Sequence, residues 1–148
     1  MDDTVMRWEG SWWKHLEPAD AAKWKFRNLT VDNNGRPWVV AQDNTVYRWD
    51  PAQPMWVNSD YGHTTINGAS KDLAAGADGS IFAISMSDNA RRWDGTYWQW
   101  VEGGHHYEFN ELAVDAHGQP VGVGLSGLVY QWDANAGWLP MHMTDFWK

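Results

Sequence analysis

Apolar residues in this chain come in short runs cut by polar turns, which is the pattern of strands rather than of helices. Leu29-Thr30-Val31 leads to Asn34-Gly35, and Pro37-Trp38-Val39-Val40 follows. A polar turn at Asp43-Asn44 then gives way to Val46-Tyr47-Arg48-Trp49, and Met55-Trp56-Val57 comes after a further Asp. The run therefore predicts four short strands in sequence. Asn-Gly is a strong hairpin signal, because a type I′ turn needs positive φ at both central residues.

The same order returns twice. Leu29 to Asp50, Leu73 to Asp94 and Leu112 to Asp133 align over 22 residues without a gap. Leu, Gly (Gly35, Gly79, Gly118), Trp (Trp49, Trp93, Trp132) and the final Asp are common to all three. The spacings of 44 and 39 residues match the ~40–45 residues of a four-stranded propeller blade. Ile81-Phe82-Ala83-Ile84 and Val121-Gly122-Val123 form the later second strands, Ala90 to Trp93 and Val129 to Trp132 the third. Tyr97-Trp98-Gln99-Trp100-Val101 and Trp138-Leu139 form the fourth. First strands are small and outer strands aromatic, so the first strand is expected innermost, where a blade narrows. Val5 to Gly10 and Trp12 to Leu16 match a third and fourth strand alone.

The fold class expected is thus all-β: a β-propeller of four-stranded antiparallel blades, three full repeats plus an N-terminal half-blade. The boundaries are 4–16 for the half-blade and about 24–57, 66–101 and 109–139 for the blades, in a single propeller domain or fragment. Met141 to Lys148 shows no first-and-second-strand pair that would complete the half-blade. The pattern therefore predicts a homo-oligomer that completes a ring, or an excised piece of a longer propeller.

The small first strand, the Asp-Gly turn and the close of the repeat resemble the tectonin repeat and the related tachylectin-2-like blades. Gly79, Arg92-Trp93-Asp94-Gly95 and Trp98 carry the resemblance best, and it extends in repeats from Val5 to Leu139. It implies a lectin that binds glycans or microbial surfaces, methylated sugars included, through pockets on or between blades. The chain departs from that family in length, since tectonin-type rings have about five to seven blades.

Composition narrows the partners. There are 13 Trp and 14 Gly in 148 residues, and no Cys, which removes disulfides and thiolate metal sites. The net charge of −8 has the wrong sign for nucleic acid or an anionic membrane, and Arg91-Arg92 is the densest basic spot. No run approaches the ~18 apolar residues of a membrane helix, and the acidic start lacks the features of a signal peptide. A soluble protein is expected, cytoplasmic or released without a recognisable signal, with no cofactor and no metal.

The repeated Trp8, Trp49, Trp93 and Trp132 fit either sugar-stacking plates or blade packing, and a position kept in every repeat usually serves packing. Residues that differ between blades are better site candidates. Tyr61, His63 and Asn67 lie in one loop entering a first strand, and His105, His106 and Tyr107 lie in the next. Both loops set aromatics beside polar groups, which suits the apolar faces and hydroxyls of a sugar. Trp12, Trp38, Tyr97, Trp98 and Trp100 are further candidates. One of each adjacent outer-strand pair should face outward, which singles out Trp12 and either Tyr97 or Trp100. Adjacent His105 and His106 point to opposite faces of a strand and so do not chelate one ion together. No nucleophile elbow, phosphate loop or HExxH is present, and the carboxylates of Asp60, Glu102, Glu108 and Glu111 show no convergent spacing. Binding rather than catalysis is expected. The leading reading is a carbohydrate-binding propeller. The alternative is a protein-interaction propeller, or a self-assembling fragment without sugar binding.

Overall fold

The computed structural model describes residues 4–16, 25–59, 69–101 and 107–141. They form three four-stranded antiparallel sheets and one two-stranded sheet. The half-blade is β1 (Met6–Trp8) and β2 (Trp13–His15). Blade 1 runs β3 (Phe26–Val31), β4 (Pro37–Ala41), β5 (Val46–Asp50) and β6 (Met55–Asn58). Blade 2 runs β7 (Ser70–Ala75), β8 (Ile81–Ser85), β9 (Ala90–Trp93) and β10 (Trp98–Trp100). Blade 3 runs β11 (Phe109–Val114), β12 (Pro120–Gly124), β13 (Val129–Asp133) and β14 (Gly137–Pro140). Within each blade, strands pair in chain order. The protein is an all-β propeller array.

First strands sit side by side, β3 against β7 and β7 against β11, so they are the inner strands. Asp72 ties them together: Asn28 Nδ2 donates to Oδ1 at 2.7 Å and the Leu112 backbone N–H to Oδ2 at 2.9 Å. Main-chain bonds also cross between blades. Ser70 N–H donates to the Asn44 carbonyl (2.7 Å) and Phe109 N–H to the Asp88 carbonyl (2.8 Å).

The hairpins correct the expected turn type. Neither Asn34 nor Asp78 has positive φ; only the following Gly35 and Gly79 do, at 74° and 89°. The Gly35 N–H bonds the Asp32 carbonyl and the Asp32 N–H bonds the Arg36 carbonyl. That is a three-residue loop, a type I turn closed by one left-handed residue. In blades 1 and 3 an acid one step before the loop helps fix this turn, whereas blade 2 makes the same turn with Gly76 at that position. Asp32 Oδ1 accepts from the Asn34 and Arg36 N–H groups, and Asp115 Oδ1 from His117 and Gln119. The second hairpin of each blade repeats this geometry, with Asn44, Asp88 and Gly127 as the left-handed residue.

Each blade lays a Trp pair on the blade before it. Trp49–Trp56, Trp93–Trp98 and Trp132–Trp138 lie directly across β5–β6, β9–β10 and β13–β14. Their ring centroids stand 5.2, 5.3 and 5.5 Å apart, at 69°, 62° and 65°. Such pairs are worth about 0.5–1.5 kcal/mol beyond the area they bury. Trp93 and Trp98 pack with Leu73, Ile81 and Ala83 on Trp38, Val40 and Val46 of blade 1. Trp132 and Trp138 pack with Phe109 and Leu112 on Phe82, Ile84 and Ala90 of blade 2. Trp49 and Trp56 pack on Val5 and Leu16 of the half-blade. The indole N–H of Trp56 donates to the Leu16 carbonyl at 3.2 Å, and that of Trp98 to the Ser59 carbonyl at 3.0 Å. The repeated Trp residues of the full blades all pack between blades, with Trp49 buried and Trp93 and Trp132 half-buried.

Replacing Trp98 by Ala removes a buried indole and a cross-blade hydrogen bond. The expected loss is about 3–5 kcal/mol of unfolding free energy, measured by urea denaturation.

Candidate functional site

Alternation along β8, β9 and β10 decides which groups blade 2 turns toward blade 3. Trp93, Trp98 and Arg91 lie on the side facing blade 1. Phe82 and Arg92 are cross-strand neighbours on the other side, as are Arg92 and Gln99. The two members of the basic pair are thereby split. Arg91 is fully buried, donates to Ser70 Oγ at 2.5 Å and lies 5.4 Å from the Trp98 ring. Arg92 is exposed, 6.0 Å from the Phe82 ring, and makes no ion pair among the described residues.

Between blades 2 and 3 these groups line an open groove of about 420 Å³. Blade 2 supplies Asp78, Phe82, Arg92, Asp94 and Gln99, and blade 3 supplies Gln119, Pro120 and Trp132. At the equivalent place between blades 1 and 2, Phe82 is replaced by Trp38. Its ring lies 5.7 Å from Trp93, and the Arg48 guanidinium stands 5.8 Å from both. The larger side chain there takes the space that Phe82 leaves open.

The polar groups are held in place. Asp94 Oδ1 accepts the Thr96 and Tyr97 N–H groups, and Gln99 Nε2 donates to Oδ2 at 3.0 Å. Tyr97 and Thr96, then Gln99, keep the Asp94 carboxyl below its ordinary pKa. The Ser80 hydroxyl and N–H, with a smaller share from the Arg92 charge, do the same for Asp78. Both are carboxylates at neutral pH, acceptors suited to hydroxyl donors. A Cβ on Gly118 would stand 2.0 Å from Asp78 Oδ2, so the two blades touch at this rim through a glycine with φ +78°.

The groove is at the end of the blades that carries the first hairpin and the Asp94 turn. The strand ends that flank the loops favoured from sequence, Asn58 with Ser70 and Trp100 with Phe109, are at the other end. Tyr61, His63, Asn67, His105 and His106 lie outside the described residues. Tyr107 is part-buried, 5.0 Å from the Tyr130 ring, packed on blade 3. Trp38 and Trp98 are both buried, Trp38 with its indole N–H on Asp32 Oδ2. They are core residues, which corrects their reading as ligand plates. Trp12, Tyr97 and Trp100 are exposed. Trp100 borders the groove, but its ring is 5.9 Å from Arg91, on the side turned toward blade 1. Sequence reading missed Asp78, Arg92, Gln99 and Gln119 as a group. The signal was present in the contrast of Trp38 with Phe82 and of Val57 with Gln99 at matching positions. Among the described residues no three His, Asp or Glu side chains are placed to share a metal ion, and no helix is long and apolar enough to cross a membrane.

No protein-family model matches the chain, and no curated protein matches it. Solved structures do. Virginiamycin B lyase from Staphylococcus aureus aligns with a TM-score of 0.68 at 9% identity, over 95% of this chain and 48% of that one. YCF48 bound to D1 peptide aligns at 0.62 and 18%, over 97% and 50%. A chain of the mitotic checkpoint complex aligns at 0.67 and 18%, over 95% and 43%. The protein is similar to these β-propellers in fold, and it spans about half the length of each.

Two outcomes follow. Gly118→Ala destabilises through left-handed strain of about 1–2 kcal/mol and a clash with Asp78; in an Asp78→Ala background the clash vanishes and the cost falls toward the strain alone. A double-mutant cycle by chemical denaturation reads the coupling. Asp78, Asp94 and Asp115 have folded pKa values held below the ordinary carboxylate value. They add stability above about pH 3.9, and it is lost as pH falls through the lower folded values. Unfolding free energy measured at pH 3 is therefore below that at pH 5, by less in the Asp78→Asn variant.

Proposed function

We propose that the protein is a carbohydrate-binding propeller of the tectonin type, with a sugar seated in the groove between blades 2 and 3. The observation that carries this reading is the pairing of a half-buried Trp132 ring with Asp78, Arg92, Asp94, Gln99 and Gln119 around about 420 Å³. That volume lies in the range of about 300–1,000 Å³ for small-molecule sites. A sugar ring offers C–H faces to an aromatic plane and hydroxyls to the surrounding donors and acceptors. Arg92 and the Gln amides donate; the two carboxylates accept. A single site of this kind is weak, and several sites or copies add avidity. A binding role without catalysis and a glycan as partner are parts of the same proposal.

A protein-interaction propeller is the second reading, and one observation favours it elsewhere on the molecule. The groove keeps its aromatics apart among polar groups. The half-blade instead exposes Trp8 and Trp13 side by side, 5.4 Å apart, with Trp12 exposed next in sequence, as an interaction surface does. YCF48 is a propeller solved with a peptide bound.

Labelled protein on a glycan array tests the first reading. Binding to a related set of sugars, competed by the free sugar, is expected. Arg92→Ala and Gln99→Ala, both at exposed positions, should weaken it about tenfold or more, since a hydrogen bond to a charged group contributes about 1.5–3 kcal/mol. A folded protein that binds no glycan overturns the sugar reading.

A further inference from the structure

Every internal junction joins two different faces. The leading face of a blade carries its Trp pair. The trailing face of the preceding blade carries alternate second-strand residues and the first residue of the third strand. Trp49 and Trp56 are 6% and 3% exposed, yet their equivalents Trp8 and Trp13 are 51% and 56% exposed. At the other end, Val121, Val123 and Val129 are partly exposed where their equivalents Phe82, Ile84 and Ala90 are buried. The chain thus presents one leading face and one trailing face with no neighbour among the described residues.

We infer that the trailing face of blade 3 in one copy docks on the half-blade leading face of a second copy, and that two copies close a ring head to tail. The two surfaces are the halves of a junction the chain makes in full twice, and a third time with only Val5 and Leu16 under the Trp pair. Trp8 and Trp13 are set for it, 5.4 Å apart against 5.2 to 5.5 Å for the buried pairs. The acceptor is set too. Leu16 and Ser59, which receive the Trp56 and Trp98 indole bonds, each donate backbone N–H to the carbonyl of Val5 or Val46. Met141 makes the same bond to Val129 at 2.8 Å. Its carbonyl therefore occupies the matching place for the Trp13 indole of the other copy. Each chain brings three full blades and one half-blade, so two chains bring six full blades and two half-blades, within the range of about 4–8 blades for closed rings. Contacts between unlike faces make a closed ring only when their rotation completes a circle, which the two-copy ring requires. The inference is independent of the sugar reading.

Sedimentation of the full chain at tens of micromolar should give twice its 16.9 kDa. Trp13→Ser spoils the leading face and Val129→Asp the trailing face, so each variant alone should sediment as a monomer. Mixed one to one, the intact trailing face of the first meets the intact leading face of the second, and a dimer should return. Circular dichroism confirms that both are folded; Val123→Ser replaces Val129→Asp if the latter is not. A wild-type mass of 16.9 kDa overturns the inference, as does a mixture that stays monomeric or a single variant that stays dimeric. Monomers stabilised by a peptide of residues 70–86 would give the leading face to an added β-hairpin, and would also overturn it.

Discussion

The packing of each blade's outer-strand Trp pair on the blade before it is the contact on which the other features depend. A single four-stranded sheet of this size cannot bury both of its faces alone. The pair closes one face, and the apolar second strand of the preceding blade closes the other. The indole N–H bonds of Trp56 and Trp98 fix the height of blades 1 and 2 on the sheets before them, and Asp72 fixes the inner strands. Stacking is therefore set at both radii of the blade, by an aromatic at the rim and a carboxylate at the axis.

A groove follows from a change of side-chain size within that regular scheme. Where blade 1 offers Trp38, blade 2 offers Phe82, and the Arg beside each is flanked by different walls. Arg48 lies between two indoles, whereas Arg92 faces open space beside Asp94 and Gln99. The scaffold contacts stay the same while the chemistry of the junction changes. This is how a repeat array carries a local site on elements that are otherwise occupied with stability.

Much of the architecture was legible in the sequence. The strands, their order and the half-blade follow from the spacing of Leu, Gly, Trp and Asp, because each marks a position with one steric role. The hairpin type did not follow, since in blades 1 and 3 Asp32 and Asp115 act two residues before the dipeptide that attracts attention. The burial of Trp38 and Trp98 was hidden for a related reason: alternation gives the two faces of a strand, and only the neighbouring blade decides which face is covered. The groove was less legible still. Its residues are scattered from Asp78 to Ala134, the carboxylates among them sit in turns that explain themselves locally, and only their meeting across a junction makes a site.

The stacking account is tested most directly by hydrogen exchange of the indole N–H groups, followed by two-dimensional NMR with Trp12 as the exposed reference. The account predicts that the Trp56 and Trp98 protons, buried and bonded to the Leu16 and Ser59 carbonyls, exchange far more slowly than that of Trp12. Exchange of both as fast as Trp12 would contradict it, because the blades would then not be locked together at their rims.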